Sequence, residues 1–134
     1  FFWGSFDLAV TRFSGRRAPV HPGDFPNLPD AVTGEAYSHE EQSVGFWFGS
    51  PGTEAAFYAY AYPQPTGFAQ APVTPAAAFW NDQYREFFLP YDAVRSLPEP
   101  DAAILAFFES TYAAAADLAG WDRTSLERIH QMLD

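Results

Sequence analysis

Two histidines and a carboxylate are the smallest set from which this chain could build a reactive centre: His21, His39 and Glu40, with Glu35 and Glu41 close by. Two imidazoles and one carboxylate suffice for a divalent metal with open coordination positions. His39 oriented by Glu40 could equally serve as a general base, so His39 and Glu40 are the catalytic candidates, with no metal assigned. Spacing weighs against a preformed site. His21 and His39 stand 18 positions apart across a proline-rich stretch, and neighbouring His39 and Glu40 point to opposite faces if their segment is extended. The plainer alternative is a set of solvated loop residues, or a His39 bonded to a local partner.

A second constellation is aromatic. Ala55 to Tyr62, AAFYAYAY, alternates so that Tyr58, Tyr60 and Tyr62 share one face. Three phenols in a row combine apolar rings with hydroxyl tips, suited to a half-buried sheet face or to the wall of a cavity for a flat or cationic molecule. Trp47, between Phe46 and Phe48, and Trp80, beside Phe79, extend the supply of rings. Such residues are equally the material of a core. Arg12, Arg16 and Arg17 hold three of the seven positive charges and could grip an anion through bidentate bonds, or simply neutralise acidic neighbours. Asp7 lies in an apolar strand and is expected to pair with one of these arginines.

Composition excludes several chemistries. All seven basic residues are arginine, so no Schiff-base or P-loop lysine comes from this chain, and without cysteine there is no thiolate nucleophile, disulfide or thiolate-bound metal. Seventeen acidic residues give a net charge of -10, which repels nucleic acid and anionic lipid. No apolar run approaches the roughly 20 residues that cross a bilayer, and a cytoplasmic location is expected. The GxSxG, GxGxxG and HExxH motifs are absent.

The elements that must position these groups follow from pattern. Phe6 to Phe13 reads as a strand apolar on both faces, expected at an inner position of a sheet, with a turn at Ser14-Gly15. Prolines 19, 22, 26 and 29 make a long loop. Glu35 to Gln42 reads as extended, and strands are expected near 5–13, 43–48, 55–62 and 85–89, with a short helix or turn over 76–84. Ile104, Phe107, Phe108, Thr111, Tyr112, Ala115 and Leu118 keep helical spacing, predicting a helix over 101–119 capped by Asp101 and ended by Gly120. A last short helix follows Asp122, with Leu126, Ile129 and Met132 inward. The fold class is α+β: one domain, a mostly antiparallel sheet with a C-terminal helix packed on one face.

Several strings resemble a known family: FFWGSFDLAVTRFSGRRAP at 1–19, EAYSHE at 35–40, GFW at 45–47, FYAYAYP at 57–63, FLPYDAVR at 88–95 and STYAAAADLAGWDR at 110–123. Together they resemble the C-terminal half of the bacterial family catalogued as domain of unknown function 5996. The resemblance implies that members are about twice this length, with an N-terminal half leading directly into the FFWGSFDL strand. It brings no activity, cofactor or catalytic residue with it. The opening Phe-Phe-Trp, without an initiating Met, is read in the same way, as an internal point of a larger unit.

Two functions are therefore expected. The first is a noncatalytic or small-molecule-binding module whose aromatic-rich surface, with Trp47, Tyr58, Tyr60, Tyr62, Arg12 and Arg16 as ligand-binding residues, is completed by an N-terminal half or a partner polypeptide. The alternative is an enzyme, with or without metal assistance, with a polar centre at His39 and Glu40.

Overall fold

The computed structural model describes residues 6–26 and 28–127. Five strands form one sheet: β1 (Leu8–Arg17), β2 (His39–Trp47), β3 (Ala56–Tyr62), β4 (Phe79–Asn81) and β5 (Glu86–Pro90), in the order β1-β2-β3-β5-β4. Every pairing is antiparallel. Four helices complete the described chain: α1 (Asp30–Ala36), α2 (Tyr91–Arg95), α3 (Pro100–Leu118) and α4 (Arg123–Leu126). The protein is α+β, with α3 laid across β2 and β3.

Register explains where the core sits. Val44, Ala59 and Phe87 are opposite one another on three adjacent strands, and Phe57 faces Leu89 in the next row. These side chains meet Phe107 and Ala115 of α3, Val94 of α2 and Phe68, which a short 3-10 turn inserts from the connector before β4. The small residues Ala115 and Ala116 are buried, letting the helix backbone approach the sheet.

Alpha-helix α3 stops by a Schellman motif. Gly120 takes φ of 65°, its N–H donates to the Asp117 carbonyl at 3.2 Å, and the Trp121 N–H reaches back to Ala116 at 2.8 Å. The motif turns Trp121 inward against Ala116 and Tyr112. At the other end the helix starts with Pro100 at its first position and no side-chain cap, so Asp101 lies inside the first turn rather than capping it. Asp122 does cap α4, accepting from the Ser125 N–H at 3.3 Å. Ile129 and Met132 of the expected last helix lie outside the described residues.

Four expectations are corrected. Strand β1 is an edge strand, paired only with β2, and Leu8 and Val10 are 67% and 61% exposed. Their face is the helix-bearing one, but α3 reaches only as far as β2 and β3, so apolar character on both faces did not mean cover on both. The strand also runs through Ser14-Gly15 instead of turning there: its register slips between Phe13 and Arg17, with Gly15 at φ of 87°, a glycine bulge. Residues 79–81 form a strand where a helix or turn was expected. The segment read as extended from Glu35 is helical to Ala36 and becomes strand only at His39.

Candidate functional site

The two faces of the sheet end in different chemistry. On the helix side, β2 and β3 run out beside the C-terminal end of α3, and a cavity of about 260 Å³ opens between them. Glu40, Tyr62, Thr66, Leu118 and Trp121 are among its lining residues. Ligand pockets usually measure roughly 300–1,000 Å³, so this one suits a compact molecule.

Strand alternation places Glu40 and Gln42 on the same side of β2. The Glu40 carboxylate accepts from the Ser14 hydroxyl at 2.8 Å and from Arg16 Nε at 2.8 Å. Arg16 also donates to the carbonyls of Ala119, at 2.7 Å, and Gly120, at 3.4 Å, which are orphan acceptors of the helix end. One guanidinium thus ties the end of β1, the Glu40 carboxylate and the Schellman turn together. Its side chain is half exposed, so Arg16→Ala is expected to cost only about 1 kcal/mol, with part of that loss disappearing at high salt. Thermal unfolding in low and high salt checks this.

Two polar groups here have no partner among the described residues. Gln42 is 0% exposed, yet neither its Oε1 nor its Nε2 is hydrogen-bonded, and Trp121, 8% exposed, has a buried Nε1–H with no acceptor. Gln42 stands opposite Ala61, which lines the cavity with Trp121. A buried donor left unpaired costs about 1–3 kcal/mol, so each such group calls for an explanation.

The other face carries the tyrosines. The Tyr58 hydroxyl crosses over Gly45 and donates to the Asp7 carboxylate. Asp7 therefore has a phenol for a partner where an arginine was expected. Tyr60 stacks on Tyr58 at 6.3 Å and is opposite Ser43, whose hydroxyl shares a 3.2 Å hydrogen bond with Thr11. Tyr62 donates to the Pro19 carbonyl at 3.0 Å, and its ring meets Tyr37 and His21. Trp47 packs at the edge of the Ala56, Tyr58 and Phe88 cluster.

Glu41 and Glu86 face the same side. Burial pushes the Glu41 carboxyl up to about 7. Glu86 is also raised to about 7, by burial first and then by the charge of Asp7. Burial likewise raises the phenols of Tyr37, Tyr58 and Tyr60, with nearby carboxylates adding to it.

Of the residues singled out in the sequence, the cavity gathers Glu40, Glu41 and Tyr62, whereas Trp47, Tyr58 and Tyr60 sit on the opposite face. His39 and Glu40 are not brought together: His39 Nδ1 is 2.9 Å from the Ser38 hydroxyl, and Glu40 is held by Ser14 and Arg16. His21 accepts from the Gly23 N–H at 3.0 Å and stacks with Phe25 and Tyr37. Among the described residues no group of three potential metal ligands assembles. Arg12 pairs with Glu109 at 2.9 Å and lies 4.3 Å over the Tyr112 ring, so it and Arg16 act as struts to α3 and its C-terminal turn. Trp121, Gln42 and Glu86 were missed, and Glu41 was named only as a neighbour of His39 and Glu40. Only Trp121 had a local signal, an apolar residue directly after a helix-stopping glycine.

The molecule is thus an α+β protein with a small cavity at the end of its sheet and a polar, carboxylate-bearing opposite face. It belongs to a family of unknown function, DUF5996, whose model matches residues 1–128. No curated protein and no solved structure matches it. The family match covers nearly the whole chain. Among the described residues, no helix is long and apolar enough to cross a membrane.

Proposed function

We propose that this protein is a noncatalytic module that binds a compact, neutral polar molecule in the cavity between the ends of β2 and β3 and the C-terminal end of α3. The observation that carries the reading is that Trp121, a lining residue of that cavity, has a buried Nε1–H with no acceptor among the described residues. A ligand carbonyl or hydroxyl oxygen accepts from it, relieving a buried donor, while the Trp121 ring, Leu118 and the prolines 63 and 65 cover the apolar part. Gln42, opposite Ala61 of the cavity lining, has a donor and an acceptor unspent. Charge selects for neutrality, since Glu40 is already neutralised by Arg16 and the other acid of the lining, Glu41, is held towards its protonated form by burial.

The other expected elements of function remain proposals with less behind them. A partner polypeptide has a place to sit along the exposed Leu8 and Val10 of β1. The enzymatic alternative at His39 and Glu40 would need those two groups to converge, and each is engaged with a different neighbour.

Trp121→Phe separates donor from ring. The variant keeps the packing against Tyr112 and Ala116 but loses the N–H, so it is expected to fold and to bind about tenfold more weakly, the loss of roughly 1–1.5 kcal/mol that one hydrogen bond carries. Calorimetric titration of both proteins with compact amides, 2-pyrrolidinone and nicotinamide among them, is the check. Equal affinity for the two proteins would remove Trp121 from the site.

A further inference from the structure

The face of the sheet away from α3 bears negative charge that no cation of the described chain answers. The described arginines with charged or polar partners spend them elsewhere: Arg12 on Glu109, Arg16 on Glu40, Arg85 on Gln64, Arg95 on Asp92 and Arg123 on Asp117 and Glu127. Among the described residues no ion pair or side-chain hydrogen bond reaches the carboxylate of Glu41 or of Glu86. Glu41 is only 5% exposed. An ionised carboxylate held so far from water needs a counter-ion or a proton.

The surroundings specify the kind of counter-ion. Glu41 lies against Tyr37 and Tyr60, and the Tyr37 ring is 5.0 Å from that of Tyr62. Glu86 begins β5, on the same face as Tyr60 and one place beyond the Ala59 and Phe87 pair. Strand β3 separates β2 from β5, so the two acids stand on the order of 10 Å apart across the sheet. That is far too wide for one metal ion, whose oxygen ligands lie at about 2–2.6 Å. It matches a flexible molecule with a positive charge at each end, lying across phenol rings whose faces attract ammonium groups.

We propose that this face binds an alkyl diammonium ion, one ammonium paired with Glu41 among Tyr37, Tyr60 and Tyr62, the other with Glu86. Glu41 and Tyr62 also line the cavity beside Trp121, but the ammonium groups engage carboxylates and not the Trp121 N–H, so Trp121→Phe should leave the preference for the diammonium ion unchanged and the two readings fail separately. The groups facing Glu41 are the phenols of Tyr60 and Tyr62 from β3, Tyr37 from the segment after α1, with His21 stacked behind it, His39 from β2 itself, and Phe13 of β1, opposite Glu41. The one permanent cation on this side is Arg17 of β1, opposite His39; it is exposed, and no ion pair joins it to Glu41 among the described residues. Because both carboxyls sit near 7, the cation competes with protons, and affinity should rise at least about tenfold from pH 6 to pH 8.

The test is calorimetric titration with cadaverine dihydrochloride, butylammonium chloride and sodium chloride at both pH values. Expected are cadaverine binding at least about tenfold tighter than butylammonium, proton release near pH 7, and loss of this preference in Glu41→Gln and in Glu86→Gln. Circular dichroism confirms that each variant is folded, and a variant that fails to fold is replaced by Glu→Asp at the same position, which should retain weakened binding. Equal binding of the two amines, a preference surviving both substitutions, or no heat beyond that of sodium chloride would overturn the proposal.

Discussion

Gly45→Ala is expected to destabilise the protein by about 3 kcal/mol or more, enough to lower its unfolding temperature by some 10 °C. The reason is space, not backbone conformation. A Cβ built at position 45 would sit 2.6 Å from the Tyr58 hydroxyl and 2.7 Å from its Cζ, and closer still to the carbonyl oxygen of Leu8. The Tyr58 ring can swing away only by giving up its hydrogen bond to buried Asp7, and the Leu8 carbonyl belongs to the backbone of β1, paired with β2 across this position. Either response exposes a buried carboxylate or loosens an edge strand. Thermal unfolding of Gly45→Ala, compared with Gly45→Ala combined with Tyr58→Phe, separates the two clashes. If the phenol is the main obstruction, losing its hydroxyl restores part of the stability; if the Leu8 carbonyl is, it restores none.

Stability should fall as pH rises from 4.5 to 8, the reverse of ordinary acid unfolding. In the unfolded chain the Glu41 carboxyl ionises near 4.5, while in the fold it holds its proton to about 7 because burial penalises the charge. Between these values the unfolded state sheds a proton that the folded state keeps. Stability is therefore fully present below the unfolded value and is lost as pH climbs through the folded one. For Glu41 the swing is about 3 kcal/mol, and Glu86, also raised to about 7, adds to it in the same direction. Glu41→Gln is expected to match the parent protein at pH 4.5 and to exceed it by about 2 kcal/mol at pH 8. Denaturant unfolding across this range is the check, and a variant no more stable than the parent at pH 8 would show that Glu41 has a counter-charge after all.

Local pattern made much of the fold legible. The three-and-four spacing from Ile104 to Leu118 with Gly120 beyond it predicts α3 to within a residue or so, and the alternation of AAFYAYAY yields β3. Position within the sheet was not legible. A run apolar on both faces does not say which neighbour is missing, and the placing of β1 at an edge depends on where α3 happens to lie. Strand β4 escaped notice because its three residues make sense only as partners of Phe87 and its neighbours in β5.

The candidate sites were harder still. The phenols on one face of β3 follow from alternation alone, but that Tyr58 would reach over Gly45 to Asp7 depends on three strands meeting. Glu41 is one of 17 acidic residues and nothing around it in the sequence marks it as buried. Adjacent Glu40 and Glu41 end on opposite faces with opposite fates, one clasped by Arg16 and one left without a cation, a difference made by the bulge that brings Arg16 alongside Glu40.

The cavity beside Trp121 is the centre of this account, and the indole N–H resonance of Trp121 is its most direct reporter. We would follow it by proton–nitrogen correlation spectra, assigned by its disappearance in Trp121→Phe, while titrating 2-pyrrolidinone and nicotinamide. The account predicts a saturable downfield shift of that N–H as it gains an acceptor, with the Trp47 and Trp80 indoles little changed. An indole signal that stays in place while the compounds bind elsewhere, or do not bind at all, would contradict it.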